Sequence, residues 1–198
     1  MIFYELSLDR LHRNWDNFYG VHFERFMNDD IGLLSSALTD MDFQSEFTIN
    51  EATERLKRGY LLYVAKKRRK IIGFIWLAVN DHLLPYFNGT LYLNPAQVYG
   101  FNGYMHKDLR GLGIYNKLRS YAYRDVQKMS YKSAVGLIYA WNKAAIRAEI
   151  RLGFVPIGYI SFGYCATIRF FFNSVKKNKI TLHDEPLILW RKLYKRLL

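Results

Sequence analysis

The sequence predicts an α/β fold, a mixed sheet of about six or seven strands with helices on both faces, and three stretches predict it. Residues 96–105 read as an apolar strand running into His106–Lys107–Asp108–Leu109–Arg110–Gly111–Leu112–Gly113 and then into a helix. Residues 60–79 read as a β-hairpin. Residues 134–162 read as strand, helix, strand.

The elements follow in chain order. Phe3–Leu6 reads as a first strand. Residues 11–27 read as a helix with Trp15, Phe18, His22 and Phe26 along one side. Residues 48–57 read as a second helix, opened by Thr48 or Asn50 as cap with Glu51 and Glu54 in its first turns. The hairpin pairs residues 60–65 with 71–79, both rich in β-branched and aromatic residues, across the charged turn Lys66–Lys67–Arg68–Arg69–Lys70. Residues 81–94 form a polar excursion with a short strand over 90–93. The helix after Gly113 carries Tyr115, Leu118, Ala122, Val126 and Met129 on one face. After the strand at 134–140, a helix over 142–152 presents Ala145, Ala148 and Leu152, and Gly153 suits its C-terminal cap. A strand over 154–162 follows, then strands over 167–172 and 187–190 around the loop Lys176–Lys177–Asn178–Lys179, and a basic amphipathic end over 190–198.

Composition bounds the function. The 198 residues make one domain, 51% hydrophobic and 17% aromatic, which excludes a disordered chain. Cys165 is the only cysteine, so no intrachain disulfide exists and a reducing, cytoplasmic setting fits. As a nucleophile Cys165 lacks a supporting His–Asp arrangement. No His/Cys/carboxylate spacing suggests a metal. No signal peptide or membrane-spanning stretch is read. The formal charge of +12 favours a polyanionic ligand, an anionic membrane face or nucleic acid, or is simply a solvated basic surface.

An arginine and two glycines at a strand-to-helix turn build a nest of backbone N–H groups at a helix N-terminus. Such a turn suits a phosphate, because first-turn donors lack internal partners and the helix dipole is positive there.

Arg110–Gly111–Leu112–Gly113, followed by Asn142, Ala145 and Leu152–Gly153–Phe154, resembles the GNAT superfamily of acyl-CoA-dependent N-acyltransferases. In that family an Arg/Gln-x-x-Gly-x-Gly/Ala loop binds the coenzyme A pyrophosphate, and a later Asn-x-x-Ala helix ending in Leu-Gly-Phe packs beside the pantetheine arm. The resemblance covers residues 60–162; residues 1–59 and the basic, aromatic segment 163–198 match only in layout. It implies a single GNAT-like domain whose mostly antiparallel sheet has two central strands splayed to admit the acyl-thioester. It also implies that Arg110, with the amides of Leu112, Gly113, Ile114 and Tyr115 around Gly111, holds the pyrophosphate of acetyl-CoA or another acyl-CoA. The backbone of Tyr104 and Met105 would pair with pantetheine, and Asn142 would reach pantetheine or adjacent backbone, serve as a helix cap, or do both.

Two positions depart from the family pattern. Tyr115 stands where Gly or Ala is usual, so its ring either crowds the coenzyme or faces the core. Glu149 stands seven residues after Asn142, where many relatives carry the tyrosine that protonates the leaving thiolate. A carboxylate is a poor proton donor unless burial raises its pKa, and a solvated face is its plainer placement. Candidates to accept the amine's proton are His106, His82, Asp81 and Glu149; Tyr139 and Tyr104 are candidate hydroxyl donors near the splay.

Three functions compete. The first is acyl transfer, most simply acetyl, from coenzyme A to a primary amine such as an amino sugar or other small amine. The basic aromatic tail would add peripheral contact with an anionic membrane at the inner face. The second is a GNAT-fold acyl-CoA-binding protein without turnover. The third is a basic nucleic-acid-binding module, which leaves both glycine motifs unexplained.

Overall fold

A computed structural model of the chain describes residues 1–11, 20–27, 31–39, 48–165 and 168–183. The hairpin forms its centre. Strands β3 (Leu61–Lys67) and β4 (Lys70–Ala78) pair antiparallel across Arg68–Arg69. The turn is tighter than the five basic residues predict, because Arg68 and Arg69 both take positive φ, 46° and 67°, and a two-residue loop suffices. Lys66, Lys67 and Lys70 are strand residues.

The main sheet adds β1 (Ile2–Ser7), β2 (His22–Arg25), β7 (Gln97–Met105), β8 (Ser133–Ile138), β9 (Val155–Cys165) and β10 (Ile168–Asn173). Its eight strands run in the order β10-β9-β1-β8-β7-β4-β3-β2. It is the mixed, mostly antiparallel sheet that the sequence predicts; among the described residues only β7 and β8 pair parallel. The N-terminal strand lies inside the sheet, between β8 and β9. A second sheet joins β5 (His82–Leu84), β6 (Gly89–Leu91) and β11 (Ile180–Leu182).

Among the described residues, four α-helices cover the main sheet. On one face lie α1 (Ile31–Thr39) and α2 (Ile49–Lys57), over Leu62, Val64, Phe74, Trp76, Tyr99 and Phe101. On the other lie α3 (Ile114–Lys128) and α4 (Lys143–Leu152), over Tyr63, Ile75, Leu77 and Val98. Strands buried on both faces are apolar without alternation, as β3 and β4 are. Leu118, Ala122 and Val126 of α3 are buried as their spacing predicts, while Met129 at its end is exposed.

Residues 20–27 correct the predicted helix: Gly20 turns with positive φ, and His22–Arg25 pairs with β3 as an edge strand. Residues 12–19 of that prediction, the predicted strand at 187–190 and the basic end at 190–198 lie outside the described residues, as does the side chain of Cys165. Among the described residues no helix is long and apolar enough to cross a membrane.

Candidate functional site

The parallel pairing of β7 with β8 runs from Gln97↔Ser133 to Gly100↔Gly136 and stops. Beyond that rung β7 pairs only with β4 and β8 only with β1, so the sheet opens between its two central strands. The opening begins at a pair of glycines. On the open part of β7 the register with β4 shifts, Trp76 facing Phe101 and Phe74 facing Tyr104. Asn102 and Gly103 therefore bulge outward, with Asn102 at φ 44°.

At the end of β7 the chain makes one 3-10 turn, Lys107–Leu109, and enters α3 through Arg110–Gly111–Leu112–Gly113. Gly111 and Gly113 take φ of 80° and 79°, a conformation that favours glycine, and a Cβ at either would meet open space. No side chain caps the helix at Gly113, so its first-turn amides keep their donor capacity. Arg110 folds back along the loop, its Nε donating to the Met105 carbonyl at 2.9 Å. Leu112 is exposed.

Tyr115 leans from the first turn of α3 onto β7, its hydroxyl against Gly103, where a side chain would overlap it. Its ring therefore occupies the wall of the opening, and burial pushes its pKa above the ordinary tyrosine range. One turn on, Arg119 lies among the rings of Tyr115, Tyr123 and Phe154 at 5.7, 5.6 and 5.1 Å.

Glu149 corrects the solvated-face reading. It is 7% exposed and forms an ion pair with Arg119, itself 3% exposed, so the pair joins α3 to α4 beside the opening. Burial opposes the Arg119 charge, but the Glu149 carboxylate more than offsets it and holds the guanidinium's pKa up. Glu149 and Leu152, three residues apart, form the buried stripe of α4. Bound this way, the carboxylate ties α3 to α4.

Asn142 is half-buried and caps α4, its Oδ1 accepting from the Ala145 amide at 3.1 Å. Tyr139 follows β8 and stacks on the exposed Trp141 at 5.3 Å. His106 stands between β7 and the nest, Nδ1 3.6 Å from an Asp108 carboxylate oxygen. Tyr104 is buried, packing on Phe74.

On the opposite face, a cavity of about 410 Å³ lies between α2, the start of β3, the β5 segment and β7, lined by residues that include Arg55, Arg58, Tyr60, His82, Phe101 and Asn102. Its wall is aromatic: the His82 and Phe101 rings are 4.2 Å apart, and Tyr60 meets Phe101 edge-on at 5.8 Å. The Tyr60 hydroxyl and His82 Nδ1 are hydrogen-bonded at 3.0 Å. Burial, assisted by the Arg55 charge, lowers the His82 pKa to about 3, so the ring is neutral and a weak proton acceptor. Arg55 is fully engaged. It pairs with Glu51 and lies 4.9 Å from the Phe101 ring centre, while Asn102, with its amide oxygen turned toward it, accepts from both terminal guanidinium nitrogens.

The sequence predicts the nest residues as a group, and the structure brings them together at the mouth of the β7–β8 opening. The cavity is what sequence reading misses, apart from His82. Its one local signal is Tyr99, Phe101 and the Thr48-capped helix, whose Glu51 and Arg55 share a face.

Comparison with known proteins agrees with this geometry. No family profile matches the sequence, and no curated protein matches it. Solved structures do. A GCN5-related N-acetyltransferase from Sphaerobacter thermophilus superposes with TM-score 0.57 at 14% identity, over 78% of this chain and 47% of that one. An N-acetyltransferase from Staphylococcus aureus Mu50 gives 0.54 at 16% identity, over 77% and 96%. The ribosomal-protein-S18-alanine N-acetyltransferase from Escherichia coli gives 0.51 at 12% identity, over 73% and 79%. The fold is the GNAT fold. Within it, the splayed pair β7–β8 and the nest before α3 stand together at one end of the sheet.

Proposed function

We propose that this protein is an N-acyltransferase, carrying an acetyl or other acyl group from coenzyme A to a primary amine. The observation that carries the reading is the opening that starts at the Gly100–Gly136 rung, with an uncapped helix N-terminus at its mouth and an aromatic cavity on the other face of β7. Arg110 and the amides of Leu112, Gly113, Ile114 and Tyr115 would hold the pyrophosphate. The bulged edge of β7 at Gly103–Met105 would pair with the pantetheine arm, and Asn142 would border it.

The reaction asks little acid–base chemistry of the chain. The amine nitrogen attacks the thioester carbonyl carbon, a C–N bond forms, the C–S bond breaks, and coenzyme A leaves as a thiolate. The ammonium proton passes to water, with His106 beside the nest as a candidate to accept it. Thiolate is a good leaving group, so Glu149 bound to Arg119 does not disable transfer.

The Glu149–Arg119 pair also favours a second reading, an acyl-CoA-binding protein without turnover, because an ion pair occupies the position where many relatives carry the tyrosine. One experiment separates them. With acetyl-CoA and a panel of primary amines, thiol release followed with a disulfide dye is expected to be amine-dependent. Coenzyme A binding without any amine-dependent release would select the second reading.

A further inference from the structure

The basic turn of the central hairpin stands beside the nest. Strand β4 starts at Lys70 and pairs with the end of β7, Gly73 facing Met105, and the His106 amide donates to the Ile72 carbonyl at 2.8 Å. Continued by two residues, that antiparallel register sets Lys70 and the Arg68–Arg69 turn next to Lys107–Leu109, the 3-10 turn that leads into the nest. Arg68, Arg69, Lys70 and Lys107 are exposed, and among the described residues their side chains make no hydrogen bond or ion pair. The carboxylates of this edge do not balance them: Glu24 pairs with Lys66, and Asp108 lies against His106. The turn is also strained. A two-residue loop of this geometry favours Asn and Gly, yet arginines stand there at φ 46° and 67°. Two strained residues that carry charge, one strand away from a phosphate-binding turn, point to a use for the charge.

We infer that Arg68 and Arg69 bind the 3′-phosphate monoester of the coenzyme A nucleotide while the nest holds its pyrophosphate. The inference rests on the acyl-CoA reading of the nest. A phosphate monoester carries about two negative charges at neutral pH, and a guanidinium matches its oxygens with paired N–H donors. The two places then divide the recognition. The nest amides hold a pyrophosphate, which many nucleotides share, and the hairpin tip selects those phosphorylated at the 3′ position. Because the tip is exposed, its contribution is modest and weakens with salt.

The test compares coenzyme A with 3′-dephospho-coenzyme A, which differ by that one group, in calorimetric binding to the full chain. The parent is expected to bind coenzyme A about tenfold tighter, the scale of one charge-assisted hydrogen bond, with the difference shrinking as salt is raised. Arg68→Asn with Arg69→Gly is expected to bind the two nucleotides alike, and Arg68→Lys with Arg69→Lys to keep part of the preference, with melting temperatures recorded to verify folding. Lys128→Gln with Lys132→Gln removes the same charge at the far end of the sheet, where α3 ends and β8 begins, and is expected to leave the preference intact. A preference that survives the Asn–Gly variant, or that falls equally in the lysine control, overturns the inference. Equal affinity of the parent for the two nucleotides overturns it too and leaves the acyl-CoA reading standing. Binding of neither nucleotide at about 10 mM overturns both.

Discussion

Glu149 and Arg119 are each almost out of solvent, and the pair they form is bordered by three aromatic rings. Removing one partner leaves a buried charge uncompensated. Glu149→Ala is therefore expected to lower unfolding stability by about 3–5 kcal/mol, while Glu149→Leu with Arg119→Met recovers most of the loss, because replacing both charges removes both desolvation costs. Urea midpoints of the single and double variants check this; a double variant as weak as the single contradicts it. His82 makes a second test. Its folded pKa of about 3 lies below the ordinary 6.5, so the unfolded chain binds the extra proton between those values. Its neutral burial therefore contributes fully above about pH 6.5, and roughly 4–5 kcal/mol is lost as pH falls toward 3. Unfolding between pH 7 and 4 is expected to show a shallower decline in His82→Phe than in the parent; equal slopes would contradict the burial argument.

At the scale of elements, local rules were readable and long-range assembly was not. Thr48 caps α2, accepting from the Glu51 amide at 3.2 Å, and Gly153 ends α4 with φ 92°, both as their residue types predict. Helix α1, Ile31–Thr39, escaped because IGLLSSALT carries neither a charged first turn nor a basic last one. The strand His22–Arg25 escaped because its alternation is short and lies at a sheet edge. The β3–β4 turn sets two arginines at positive φ, where side chains are strained. Arg68→Asn with Arg69→Gly is expected to raise stability by about 1 kcal/mol, seen as a higher urea midpoint. No gain would mean that neighbouring contacts already offset the strain. For the candidate site the division is the same. Residues 104–115 are continuous, so the nest was legible; the cavity draws on α2, β3, β5 and β7, which no single window of sequence contains.

Over the whole molecule, the N-terminal strand pairs with residues 133–138 and 155–159, so the chain's start and its later half close one sheet together. Strand β8 pairs with β1 along its whole length but with β7 only over Ser133–Gly136, and the sheet is open beyond that rung. The formal charge of +12 suits a polyanionic ligand such as the proposed coenzyme A. The central claim is that this opening takes an acyl-CoA, and thermal unfolding with and without acetyl-CoA tests it most directly. At about 100 times its dissociation constant, a ligand of the folded state adds about 2.7 kcal/mol, or roughly 5–10 °C for a chain of this size. A rise of that order is the expected result, and an unchanged melting temperature at millimolar acetyl-CoA would contradict the account.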